Sequence, residues 1–185
     1  MTDDPHELIR VHLREAFERE LSTRVERYTF IQHQRIVPNH YFAIASSECI
    51  NLYRDGYFIS CVSMTQAVAE AIVRFVSDRN GIKRREKESK LAMIARMGEE
   101  GVVSEEYVQA YGRIYGSERN HFHHMNPEVA GLDVEQMARA NITDLALIER
   151  EIFGHSLREG MIVPHQRKYW DIQDDGGVVV YGRFA

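Results

Sequence analysis

Apolar residues recur every three or four positions along most of the chain, the spacing of one face of an α-helix. Leu13, Phe17, Leu21, Val25 and Tyr28 form the first such stripe. It predicts a helix from about Pro5 to about Phe30, with Pro5 where a first helical turn tolerates proline. Pro38-Asn39 interrupts the pattern and offers Asn39 as an N-cap. A second stripe, Tyr41, Ala45, Cys49, Leu52 and Tyr53, stops at Asp55-Gly56. A third and broader one begins at Phe58, continues through Cys61, Val62, Thr65, Ala69, Ile72 and Val73 to Val76, and ends at Asn80-Gly81. A break as short as Asp55-Gly56 predicts that these two helices form an antiparallel hairpin.

Lys83 to Lys90 is a run of charge, the pattern of a solvated helix face or, less often, of a nucleic-acid contact. Leu91, Ile94 and Met97 mark a short fourth helix ending at Gly98. Ser104 can cap a fifth, lined by Val108, Tyr111, Ile114 and Tyr115, with Glu105 and Glu106 suiting the positive end of its dipole. The last long helix has Asp133 as cap, Gln136 for a capping box, and Leu132 and Met137 spaced as a hydrophobic staple. Val134, Ala138, Ile142, Leu145, Ile148 and Ile152 follow on one face, and Gly154 closes it. Beyond Gly160 the stretches Lys168–Ile172 and Val178–Tyr181 are β-prone, with the turn-forming Asp174-Asp175-Gly176-Gly177 between them. The expected fold class is all-α: an antiparallel helical bundle over residues 1–160 and a short C-terminal β-hairpin or extended arm over 161–185. Two strands alone are barely stable, so the arm is expected to dock on the bundle or on another subunit.

Composition narrows the function classes. Hydrophobic residues make up 44% and charged residues 28% of 185, enough for a core without disulfides or metal. A net charge of −5 argues against a general nucleic-acid coat, while leaving room for a local basic site. Cys49 and Cys61 fall within helical stripes and are expected to be small buried hydrophobes. The acidic start, Met1-Thr2-Asp3-Asp4-Pro5, has no apolar run behind it, so no signal peptide is expected. No unbroken stretch of about 18 apolar residues is present, so no membrane span and a cytoplasmic location are expected.

The chemistry concentrates in Arg119-Asn120-His121-Phe122-His123-His124. A neutral imidazole can take the proton of a ribose 2′-hydroxyl or protonate a leaving oxygen. A guanidinium offers fixed donors to phosphate oxygens and stabilises the charge that builds there. Spacing alone is weak evidence, since an Arg followed by His after four to six residues occurs five times in this chain. Five residues along a straight helix turn roughly 500°, which leaves positions 119 and 124 about 140° apart. They converge if the helix breaks, as Asn126-Pro127 suggests nearby, or if a second subunit supplies the partner.

The order of helices, the Ser60–Phe75 segment with Glu70 in an apolar helix, and Arg119-Asn120 followed by His124 resemble the HEPN superfamily. These are small all-α domains named for higher eukaryotes and prokaryotes nucleotide-binding. The resemblance covers about residues 39–154. It implies a homodimer whose two motifs face each other across a shared cleft. It further implies a metal-independent endoribonuclease without cofactor, of the kind found in toxin–antitoxin, phage-defence or RNA-processing systems, with an antitoxin-like partner. Arg119 and His124 would be catalytic and Asn120 supporting. His121 and His123 lie outside the family pattern and would bind substrate or substitute for His124. Other members of the superfamily are non-catalytic nucleotide-binding or interaction modules.

Two further readings stay open from the residues themselves. Glu118 to His121 is a Glu-x-x-His step of the kind di-iron bundles use, but such bundles need two steps plus two more glutamates, and one is present. A pure interaction protein would use the Lys83–Lys90 segment and the C-terminal arm. Glu48 and Glu70 suit edge-of-core salt bridges, and Tyr111 and Tyr115 suit core packing better than stacking on bases. Phosphate-loop, dinucleotide-fingerprint and nucleophile-elbow motifs are absent from the sequence.

Overall fold

A computed structural model describes residues 4–116, 118–124 and 126–183, without the side chains of Arg119, Asn120 and His123. Its helices are α1 (Pro5–Phe30), α2 (Ala43–Arg54), α3 (Phe58–Arg79), α4 (Lys90–Glu99), α5 (Glu105–Gly116), α6 (Arg119–His124) and α7 (Val134–Phe153). The strands are short: β1 (Ile36–Pro38), β2 (His155–Arg158), β3 (Met161–Pro164) and β4 (Val180–Gly182). The chain is therefore mostly helical, with a few short antiparallel strands.

α3 is the centre of the bundle, packed on α2, α5 and α7. Cys61, Val62, Ile72 and Val76 on α3 lie fully buried with Tyr107 and Tyr111 of α5 and Ile148 and Ile152 of α7. By length and composition α3 could also cross a membrane, which the expectation from unbroken apolar runs overlooked because Glu70 and Arg74 interrupt it. More than half of its apolar window (56%) is buried inside the fold, the position of a core helix. Cys49 and Cys61 are buried and free, with the Cys61 thiol 3.6 Å from the Cys49 carbonyl oxygen. Burial pushes the Cys61 thiol up to about 12, so it stays protonated and inert.

Local signals set several helix starts. The Asp4 carboxylate accepts from His6 N–H at 3.0 Å, Ser104 Oγ from Tyr107 N–H at 3.1 Å, and Asp133 from Gln136 N–H at 3.0 Å. Ser89 caps α4 in the same way, accepting from Ala92 N–H. Asn39 does not cap α2, which starts four residues later behind Phe42 with no side-chain cap. The reason is that Asn39 N–H donates to Val179 O, which ties this residue to the C-terminal segment. The Lys83–Lys90 run is a loop instead of a helical face up to Lys90, held by Arg96, which grips Glu88 at 2.9 Å and 3.0 Å and donates to the Lys83 carbonyl.

α1 departs from the expectation of a buried stripe. It has no buried residue along its 26 positions, and Leu13 and Phe17 are 62% and 46% exposed. Its ion pairs and ring contacts to the bundle, among the described residues, begin at Arg24, which faces Asp55 at 3.7 Å. Farther along, Arg27 meets Glu135 and the Phe58 ring, and Phe30 lies beside Tyr53.

The β-structure also differs from the expected arm. The complete hairpin is β2–β3, upstream of the predicted one and spanning the 160/161 boundary. Its two turn residues, Glu159 and Gly160, both have positive φ (51° and 80°), as the tightest hairpin turns require. The Lys168–Tyr181 region forms the expected turn over Asp174–Gly177, with Gln173 N–H donating to Gly177 O at 2.8 Å, but its ladder is limited to one bridge, Ile172 to Val178. Val180–Gly182 instead pairs antiparallel with β1, Val37 opposite Tyr181, so the arm docks on the bundle. Gly154 ends α7 with ordinary φ; a Cβ there would lie 2.6 Å from Arg150 O and 2.9 Å from His165 Nδ1.

Candidate functional site

All five sequence-predicted site residues fall on α6, a six-residue helix between α5 and the short 3-10 turn Pro127–Gly131. Glu118, with φ 48°, turns the chain into it, and Asn126-Pro127 turns the chain out. The expected break therefore comes after His124. The helix is continuous from Arg119 to His124, so within one chain their backbone positions stay about 140° apart around its axis.

Phe122 fixes α6 to the bundle. It is 3% exposed and belongs to the core, and α6 packs on α3. His124 is exposed. His121 is half-buried between two carboxylates: Nε2 lies 3.0 Å from Glu118 Oε2 and Nδ1 3.5 Å from Glu128 Oε2. Glu118 and Glu128 meet opposite nitrogens of the ring, and among the described residues no three His, Cys, Asp or Glu side chains gather as a metal site. The side chains of Arg119, Asn120 and His123 lie outside the described residues.

An open groove of about 490 Å³ runs between α5 and α7, lined by Gly112, Arg113, Gly116, Met137, Ala140 and Asn141. Gly116, at its edge, is three residues before Arg119. A Cβ at Gly112 or Gly116 would meet nothing within 4 Å, so both leave free space for an approaching chain. On one wall Arg113 is held bidentately by Asp144, at 2.9 Å and 2.7 Å. On the other face of α5, Tyr111 and Tyr115 stack with ring centroids 5.6 Å apart; Tyr111 is fully buried, which makes it a packing residue. Lys90 pairs with Glu70 and lies 5.9 Å from the Tyr115 centroid, the edge-of-core role expected for Glu70. Glu48 is exposed.

A second polar cluster escaped sequence reasoning. Arg183, just after β4, inserts between α2 and α7, and donates to Glu149 through Nη1 and Nη2, each at 2.7 Å. Nη2 also donates to Ser46 Oγ at 2.6 Å, and the Ser46 hydroxyl donates to Glu149. All three residues are buried. Beside them is a small cavity of about 80 Å³, lined by Tyr28, His33, Asn51, Tyr181 and Arg183 among others. Burial, then the Arg183 charge, lowers the pKa of His33 and keeps its ring neutral. The available signal was Glu149 itself, an acid set inside the Leu145–Ile148–Ile152 face; nothing in the sequence pointed to Arg183 as its partner. No family model, curated protein or solved structure matches this chain.

Proposed function

We propose that the protein is a metal-independent endoribonuclease of the HEPN type, active as a homodimer in the cytoplasm and serving as a toxin or defence component. The reading is supported by one observation: Arg119, Asn120 and His124 share a short helix with His124 exposed, and the helix begins three residues after Gly116, which lines an open groove. Divergence of positions 119 and 124 on one helix favours a dimer in which each phosphate meets Arg119 of one chain and His124 of the other.

In this mechanism His124 takes the proton of the ribose 2′-hydroxyl as its oxygen attacks phosphorus. The phosphorus–O5′ bond breaks, the imidazolium formed at His124 gives its proton to the leaving 5′-oxygen, and a 2′,3′-cyclic phosphate forms. Arg119 holds the phosphoryl oxygens where charge grows, and Asn120 orients them. His123 would contact substrate; His121, engaged by Glu118 and Glu128, would do so after giving up one of them.

The second reading is a non-catalytic nucleotide- or RNA-binding module, or a module that docks an antitoxin-like protein. It is favoured by the carboxylate pairing of His121, which leaves it a structural partner of α6. Incubation of labelled RNA with purified protein in excess chelator separates the two. The nuclease reading expects 2′,3′-cyclic phosphate ends that disappear in Arg119→Ala and His124→Ala. Cleavage that survives both substitutions in folded protein removes the assignment, and binding without cleavage by the wild type moves it to the module.

A further inference from the structure

Eight of the large apolar side chains left exposed among the described residues lie on α1. Ile9, Leu13, Phe17, Leu21 and Val25, spaced by four, form one ridge, and each is more than a third exposed. The ridge runs into a groove of about 350 Å³ between α1 and Arg54 at the end of α2. Exposed apolar surface gathered in one ridge marks an interaction face.

The charges of α1 indicate what covers it. The helix has five arginines and five glutamates, and no lysine or aspartate. They cancel, so it lacks the net positive charge that draws amphipathic helices to anionic membranes. A balanced set is suited to a copy of itself. At roughly 100° per residue, Arg14 and Glu18 lie on one flank of Phe17, and Glu20 lies on the other. A two-fold axis through Phe17 with the helices antiparallel brings Arg14 of each chain beside Glu18 of the other, offset by about 3 Å along the axis. A parallel pair would instead set Glu18 against Glu20 of the second chain at a similar offset. Ridges spaced by four pack into each other with the axes crossed by about 50°. The ion pairs and ring contacts of α1 with its own bundle begin, among the described residues, at Arg24, so the antiparallel crossing sets the two bundles toward opposite ends.

We infer that α1 is a self-association arm, whose ridge crosses the α1 ridge of a second copy of this chain antiparallel at Phe17. The inference does not rest on the nuclease reading.

Mass measurement by light scattering across a concentration series, on the full chain, tests it. The α1 crossing holds the bundles apart, so any pairing across α6 adds to it: the expected wild type is at least a dimer, and Phe17→Glu, which stays folded because Phe17 supports no core, has half the wild-type mass. Arg14→Glu weakens the dimer about tenfold by replacing two attractive pairs with two repulsive ones, and Arg14→Glu with Glu18→Arg together restores it. A monomeric wild type overturns the inference. So does a dimer that Phe17→Glu leaves unchanged, which would assign association to another face and leave the nuclease reading untouched. A monomer that sediments with phosphatidylglycerol vesicles overturns it in favour of a membrane.

Discussion

Arg183 and Glu149, 34 residues apart in sequence, form a bidentate ion pair inside the bundle, both nitrogens 2.7 Å from carboxylate oxygens and both side chains 3% exposed. A charge at this depth is tolerated because both terminal nitrogens of the guanidinium are bonded, to Glu149 and to the Ser46 hydroxyl, although Nε is buried without a hydrogen-bond partner among the described residues.

Removal of one partner is therefore far more costly than removal of both. Arg183→Met is expected to destabilise the fold by about 3–5 kcal/mol, because it strands the Glu149 carboxylate. Arg183→Met with Glu149→Leu should recover most of that loss. Denaturant unfolding of the two variants checks the pair; equal losses would show that the ion pair carries no special weight.

His33 gives the fold a pH dependence. Its folded pKa lies below the ordinary 6.5, because burial and then Arg183 disfavour the imidazolium. The unfolded chain takes up the proton first as pH falls. Stability is thus complete above about pH 6.5 and declines as pH drops through and below that value. Thermal unfolding from pH 8 to 5 should show this decline, and His33→Gln should flatten it.

A second titration lies at lower pH. Arg96, followed by the Arg85 backbone N–H, lowers the Glu88 carboxyl from 4.5 to about 2. The pairing is complete above pH 4.5 and is lost as pH falls toward 2. Hydrogen exchange of the Lys83–Ser89 loop should rise in that window in the wild type. In Glu88→Gln the loop should exchange fast at neutral pH already.

Phe122 is the test of α6 as a platform. Phe122→Ala should cost about 3–5 kcal/mol as a large core deletion. Any activity of the Arg119–His124 segment should fall with it while the purified variant still folds at low temperature. Activity unchanged in a folded Phe122→Ala would mean that docking of α6 is irrelevant to function.

Gly154→Ala probes the end of α7. The new methyl would collide with the Arg150 carbonyl and the His165 ring, and an overpacked site of this kind costs about 1–3 kcal/mol. A neutral result in calorimetry would show that the α7–β2 corner is plastic.

Much of the helical order was legible in sequence because caps and apolar spacing act locally. Asp133 with Gln136, Ser104 with Tyr107, and the Asp55-Gly56 break all operate within a few residues. What was illegible depends on distant partners. The stripe of α1 has the same spacing whether a core, another copy or water covers it. The strand Val180–Gly182 looked like half of a hairpin, and only Ile36–Pro38, far away in sequence, shows where it pairs. The candidate site lies between these cases. The residue types of Arg119-Asn120-His121-Phe122-His123-His124 were visible, as was a turn at Asn126-Pro127. That the helix stays continuous through His124, and that Phe122 is its anchor, depend on packing against α3.

The pairing of β1 with β4 also dictates an order of assembly. Val37 meets Tyr181 across 144 residues, and β4 leaves the ribosome after every helix. Until it arrives, Glu149 lacks the guanidinium that pairs with it in the folded chain. The α2–α7 seam can therefore close around its ion pair only once the segment that carries Arg183 has been made.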